Sequence, residues 1–216
     1  VKTFSYKVCD HYDAVIILAA GPSINKCFDK IRKFQEDNPS NVVLACNYDF
    51  PIPSDYTVYV DSGRYRKFIK SIKSPRVIVC PTAIVKKEHM KNHEMFVFKW
   101  DHTIQPYNVD QYIVNPDGST GHKLGNCGMA CLYISHFFKP KKVLIAGFDG
   151  PERDRKTVMH FNKIKRKWTQ INLDRLNPKK KCVKNKIIPL LKSKGIKVYT
   201  FDECPFWGIR ECVKTI

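Results

Sequence analysis

Ala14-Val15-Ile16-Ile17-Leu18-Ala19-Ala20-Gly21-Pro22-Ser23 is the stretch on which the reading of the whole chain turns. A continuous apolar run that stops at Gly-Pro suits a strand covered on both faces, as in a parallel sheet. Gly21 permits a sharp turn or a close approach of backbone to ligand. Pro22 fits the first turn of a helix, where its missing N–H is no loss, and Ser23 is of a common capping type. A helix beginning there would hold free backbone N–H groups above the strand, which is a site for an anion and most often for a phosphate. The plain alternative is a strand–helix turn that binds nothing.

Working outward, Ile24, Phe28, Ile31 and Phe34 recur at helical spacing, and Asp37-Asn38-Pro39-Ser40 breaks the pattern. Further short apolar runs follow. Val42-Val43-Leu44-Ala45 ends at Cys46-Asn47, Tyr56-Thr57-Val58-Tyr59-Val60 at Asp61-Ser62-Gly63, and Arg76-Val77-Ile78-Val79-Cys80 at Pro81. Residues 94–98, 143–146 and 196–201 have the same character, and helices are expected over 64–71, 125–138 and 182–194, with a short closing helix over 205–214. Strands alternating with helices predict an α/β fold: a Rossmann-like, mostly parallel sheet with helices on both faces, in one domain spanning 1–216. Residues 100–124 are polar with scattered Pro and Gly, and 151–181 are basic and irregular, so both are expected to act as lids over a site.

The chain has 216 residues, 43% of them hydrophobic, enough for a full α/β core. It begins Val1-Lys2 without a methionine, which suits a piece of a longer chain. No run is long enough for a membrane-spanning helix. The net charge of +18 suits phosphorylated ligands or an anionic membrane surface. Nucleic acid is not expected as the main partner, since no zinc-finger spacing, RNA-recognition aromatic motif or helix-turn-helix pattern occurs. Nine cysteines include no C-x-x-C; Cys127 and Cys131 are a helical i,i+4 pair, and Cys46 and Cys80 lie in apolar strands. An odd count without ligand spacing predicts reduced thiols, a cytoplasmic or other reducing compartment, and no bound metal.

In open parallel sheets, ligands bind beyond the carboxyl ends of the strands. Those ends carry Gly21-Pro22-Ser23, Cys46-Asn47, Asp61-Ser62-Gly63 and Gly147-Phe148-Asp149-Gly150, and Asn126-Cys127-Gly128 opens the helix before the last of them. Backbone N–H groups near Gly21 and Gly128 suit phosphates, and the Asn47 amide, both donor and acceptor, suits a base or ribose. The dinucleotide fingerprint and the P-loop are both absent after the first strand. No Asp-x-Asp occurs, which argues against a metal-bound diphosphate.

Gly21-Pro22-Ser23-Ile24 followed by Cys46-Asn47-Tyr48-Asp49-Phe50 resembles the opening of the bacterial sialyltransferases of glycosyltransferase family 42. Asn126-Cys127-Gly128, the run from Lys141 to Asp149 and the tail from Lys186 to Phe201 resemble later parts of that family. The same core is shared by motility-associated-factor-type transferases and by the archaeal hydroxymethyl-dihydropterin pyrophosphokinase. The resemblance implies a metal-independent, inverting transfer of a sugar from a nucleotide-sugar donor to a glycan acceptor, with no other cofactor. It implies donor contacts from Gly21, Pro22, Ser23, Asn47, Asn126, Cys127, Gly128 and Asp149. The family's asparagine before Gly-Pro-Ser is Ala20 here, its helix serine is Cys127, and its phosphate-binding tyrosines fall on Pro151 and Thr157. Arg153 and Arg155, with Lys156, are expected to neutralise the leaving diphosphate in their place.

Inversion requires a base for the acceptor hydroxyl. Asp61, at a strand end, and His160, in the basic segment after Asp149, are the two candidates, with His122 as a weaker third; against each stands the ordinary role of a cap or an idle loop histidine. Two other functions stay open: a pterin-type pyrophosphokinase dependent on ATP and Mg²⁺, and a non-catalytic basic module for nucleic acid or anionic glycan.

Overall fold

The computed structural model describes residues 1–80, 83–98, 112–114, 120–122, 127–149, 157–159, 165–167, 182–201 and 214–216. Nine strands form one sheet: β1 (Lys2–Thr3), β2 (Ala14–Leu18), β3 (Asn41–Cys46), β4 (Tyr56–Tyr59), β5 (Arg76–Val79), β6 (Glu94–Val97), β9 (Lys142–Ala146), β12 (Lys197–Thr200) and β13 (Lys214–Thr215). Their order across the sheet is β1-β6-β5-β4-β3-β2-β9-β12-β13, and every pairing is parallel. The Rossmann-like α/β architecture predicted from the alternation of strands and helices is present. All five residues of β2 are buried, as the unbroken apolar run requires of a central strand covered on both faces.

Successive side chains of a strand point to opposite faces, so the sheet sorts its own core. Val15, Ile17, Leu44, Cys46, Val58, Val143 and Ile145 face one layer, which contains α4 (Cys127–Ile134) and α5 (Ile188–Ser193). Ala14, Ile16, Leu18, Val43, Leu144 and Ala146 face the other, against Ile24, Cys27 and Ile31 of α1 (Phe28–Asp37) and the turn before it. On that second face, Tyr59, Val77 and Val79 pack on Tyr65 of α2 (Ser62–Phe68) and on Ile69 and Ile72 beyond it.

Several boundaries differ from the sequence reading. The first helix is interrupted: Pro22–Lys26 is a 3₁₀ turn and α1 starts only at Phe28. The helix expected over 182–194 is a π-helical turn, Val183–Ile187, running into α5. A short polar helix, α3 (Lys87–Asn92), carries no apolar periodicity and was not foreseen. The closing helix expected over 205–214 falls mainly outside the described residues, and its last position is in edge strand β13. The segments read as irregular lids contain two short antiparallel pairs: β7 (Tyr112–Val114) with β8 (Thr120–His122), and β10 (Thr157–Met159) with β11 (Lys165–Lys167). The remainder of both segments lies outside the described residues. No helix among the described residues is long and apolar enough to cross a membrane.

Candidate functional site

The strand order reverses at the β2–β9 boundary: from β2 the chain moves outward through β3 to β6, then returns to place β9 on the other flank of β2. In an open parallel sheet this switch point, at the carboxyl ends, is where a crevice forms. The exits of the two strands are laced together there. The Ala19 N–H donates to Ala146 O at 2.9 Å and the Gly21 N–H to Gly147 O at 2.8 Å. Gly147 has φ +72°, and a Cβ on it would stand 2.2 Å from Ala19 O. A Cβ on Gly21 would stand 2.2 Å from Asp149 Oδ2 and 2.5 Å from Gly147 O. Both glycines are therefore dictated by packing between two chain segments.

The Ser23 N–H donates to Asp149 Oδ2 at 2.8 Å. This corrects the expectation of free N–H groups there for a phosphate. Pro22 has no N–H, Gly21 and Ser23 give theirs to the chain itself, and the Ile24 N–H points back to Gly21 O. An intramolecular carboxylate already occupies the place of an anion at this turn. Asp149, expected to touch the donor, holds the turn through Oδ2. What the turn leaves open is the Ser23 hydroxyl, whose Oγ is buried without a hydrogen-bond partner.

One strand over, β3 leaves at Cys46 and Asn47 adopts the left-handed conformation, φ 64°, which asparagine tolerates better than most residues. Its N–H donates to Val58 O at 3.1 Å. Its side-chain Oδ1 is buried and unpartnered. Tyr48 accepts a hydrogen bond from Arg64, whose guanidinium also stands 5.8 Å from the Tyr48 ring centre. Asp49 accepts the Lys73 N–H with both carboxylate oxygens at 3.1 Å.

From β4, Tyr59 is fully buried and its hydroxyl is the third orphan. Burial, then the nearby Cys127, Asp49, Tyr48 and Tyr65, push that phenol well above its ordinary pKa, so it stays protonated. Asp61 is exposed, and its Oδ1 accepts the Arg64 N–H at 2.7 Å as the N-cap of α2. The capping role weighed against catalysis is thus real, though it uses only one oxygen.

The start of α4 completes the rim. Gly128 is buried in its first turn, and the Cys127 side chain points inward, its thiol donating to Val58 O at 2.8 Å. Cys127, expected to contact the donor, therefore has its side chain turned into the core, and its main chain is what it can offer a ligand. Cys46 Sγ lies 3.4 Å from Cys131 Sγ, and the three sulfurs lie within 4.8 Å of one another. Burial disfavours charge on the Cys127 sulfur, but the neighbouring Cys131 and Cys46, the Arg64 charge and the Asn47 main chain outweigh it and hold its pKa below the usual thiol value. Cys46 and Cys131, fully buried, are pushed up.

Gly21, Ser23, Asn47, Asp61 and Asp149 thus leave the sheet along one rim, as their positions after parallel strands demand. Tyr59 and Arg64 join them unforeseen: the first reads as an ordinary strand residue, the second as one more charge on a basic helix. Asn126, Arg153, Arg155 and His160 lie outside the described residues, as does the side chain of His122.

No protein-family model matches the chain, and no curated protein matches it in sequence. Among solved structures it is similar to the MAf glycosyltransferase from Magnetospirillum magneticum AMB-1, at 12% sequence identity and a TM-score of 0.54. The likeness covers 100% of this chain and 35% of that one. The chain therefore has the fold of about a third of that larger protein.

Proposed function

We propose that this chain binds the nucleotide of an activated sugar over the carboxyl ends of β2, β3 and β4 and transfers the sugar to a glycan acceptor. One observation carries the reading. Three buried polar side-chain atoms of the described residues lack a hydrogen-bond partner, and Ser23 Oγ, Asn47 Oδ1 and Tyr59 OH all belong to this rim. An unpaired buried polar group costs about 1–3 kcal/mol, so three on one edge are best explained by a ligand that satisfies them. The fold shared with a MAf glycosyltransferase supports a sugar nucleotide as that ligand.

In this reading Asn47 Oδ1 accepts an N–H or O–H of the base or ribose. The Ser23 hydroxyl hydrogen-bonds an uncharged oxygen of the donor, and the first turn of α4, from Cys127, adds main-chain donors for its phosphate, with Asn126 as a further donor residue. Arg64, with Arg153 and Arg155, balances the departing phosphate charge. The transfer inverts the sugar and needs no metal. Asp61 takes the acceptor proton through the oxygen its cap does not use, or His160 does so.

The test is a melting-temperature screen against CMP, UDP, GDP, ADP and ATP, each with and without Mg²⁺. A ligand that binds only the folded state must stabilise it. The expected result is a rise with one nucleotide in the absence of metal. A rise confined to ATP with Mg²⁺ points to pyrophosphoryl transfer instead, and no rise with any nucleotide overturns the reading.

A further inference from the structure

We propose that Cys46, Cys127 and Cys131 form a binding site for a thiophilic d¹⁰ cation, zinc in the simplest case, set in the core beneath the rim. This inference is independent of sugar transfer. Cys127 and Cys131 are one turn apart on the same side of α4, and Cys46 is the last residue of β3 against that side. The fold thus brings a third thiol to a pair that sequence spacing alone does not mark as a metal motif. Their sulfurs lie within 4.8 Å of one another, and the Cys46–Cys131 separation is 3.4 Å. Zinc–thiolate bonds of about 2.3 Å place tetrahedral sulfurs about 3.8 Å apart, so a cation fits if Cys46 and Cys131 open slightly and the separations to Cys127 adjust by up to about 1 Å.

One of the three sulfurs sits where negative charge is favoured. Cys127 is the first residue of α4, at the positive end of its peptide dipoles. Cysteine content alone does not explain the grouping: Cys9, Cys27, Cys80 and Cys182 are buried too, yet among the described residues only this trio gathers ligand atoms. On binding, each S–H bond gives its proton to solvent as a sulfur–metal bond forms, and Cys127 gives up its hydrogen bond to Val58 O. Three thiolates around a divalent ion leave one negative charge. The bound ion would clamp α4 onto β3 and so fix the height of the rim.

The experiment uses reduced, metal-stripped protein titrated with Zn²⁺ against a chromophoric chelator, with stoichiometry read by native mass spectrometry. One ion per chain is expected, with a raised melting temperature. Both are lost in Cys131→Ser and Cys46→Ala and kept in Cys80→Ser and in the double variant Cys204→Ser/Cys212→Ser. A parallel Cd²⁺ titration of the unmodified chain tests sulfur ligation without any variant, through the ultraviolet thiolate-to-metal charge-transfer band. Absence of stoichiometric binding, absence of that band, or binding that survives Cys131→Ser overturns the site.

Discussion

Tyr56 and Tyr59 stand at opposite ends of one strand and are treated differently by the fold. At the amino end of β4, the Tyr56 hydroxyl accepts from Arg76 at 3.1 Å, with the guanidinium 5.0 Å from the ring centre. Its neighbours at that end are equally well served. Asp55 accepts the Val43 N–H at 2.8 Å, Ser54, Ser74 and Thr57 hydrogen-bond in a chain, and Asp13 pairs with Lys141 at 2.7 Å. At the carboxyl end, Tyr59, Asn47 and Ser23 each bury a polar atom with no partner. Stability alone explains the first arrangement, since each bond there repays its own desolvation. It does not explain the second, which a fold tolerates where something else completes it.

Asp61→Asn breaks this comparison most sharply if the carboxyl end is catalytic. Asparagine caps a helix as well as aspartate, so α2 stays in place while the base is lost. Turnover falls about 10²–10⁴-fold, the usual contribution of a general base, with nucleotide affinity unchanged. An unchanged rate passes the role to His160, tested as His160→Ala; full turnover in both variants ends the assignment. Gly21→Ala comes next. Its methyl would collide with Asp149 and the Gly147 carbonyl, at a cost of about 3 kcal/mol in urea unfolding. Gly195→Ala is the reference: φ is +74° but nothing lies within 4 Å, so only backbone strain of about 1 kcal/mol remains. Equal costs for the two would show that the β2–β9 junction is looser than described.

How much of this was legible in the sequence follows the same division. Strands such as Ala14–Leu18 and Lys142–Ala146 announce themselves because a parallel strand buried on both faces must be apolar throughout. Their exits, at Gly21, Asn47, Asp61 and Gly147, are marked by residue types that end strands, so the rim could be listed in advance. What filled it could not. Asp149 closes on Ser23 across 126 positions and Cys46 meets Cys131 across 85, and no local pattern encodes such contacts. The turn after β2 reads as a phosphate site by chemistry alone, and only the fold reveals that a carboxylate of the same chain already holds its N–H group. Helix α3 was missed for the opposite reason: six mostly polar residues bury little and leave no periodic trace.

Asn47→Gly sharpens the comparison at a single atom. Glycine accepts φ 64° without strain, so the variant removes Oδ1 and leaves the backbone as it was. The lost side chain relieves an unsatisfied acceptor while glycine's extra unfolded-state freedom costs about 0.5–1 kcal/mol, so stability changes little. Affinity for the nucleotide that raises the melting temperature falls about tenfold, or about 1.4 kcal/mol, by isothermal titration. Undiminished affinity would mean that the orphaned oxygen is not the donor's contact.

The smallest effect belongs to the amino end, where satisfaction has its own signature in pH. Cys9 is buried at the foot of the sheet, close enough to Tyr56 and Arg76 for their charges to be felt. Burial first, and then Asp10, push its pKa from 9.0 to about 12, against a smaller opposing pull from Arg76. In the unfolded chain the thiol ionises at its ordinary value, so between pH 9 and 12 the unfolded state has shed a proton that the folded state keeps. Stability from this group is therefore complete below pH 9 and drains away as pH rises toward 12, by about 1 kcal/mol at pH 10. Burial raises Tyr56 to about 12 as well, which steepens the fall above pH 10. Urea unfolding at pH 8, 9 and 10 reads the slope, and Cys9→Ala flattens it whatever its cost at neutral pH. A slope unchanged by that substitution would place the alkaline loss elsewhere, and the amino end would no longer be the part of the sheet whose polar and ionisable groups are built for stability alone.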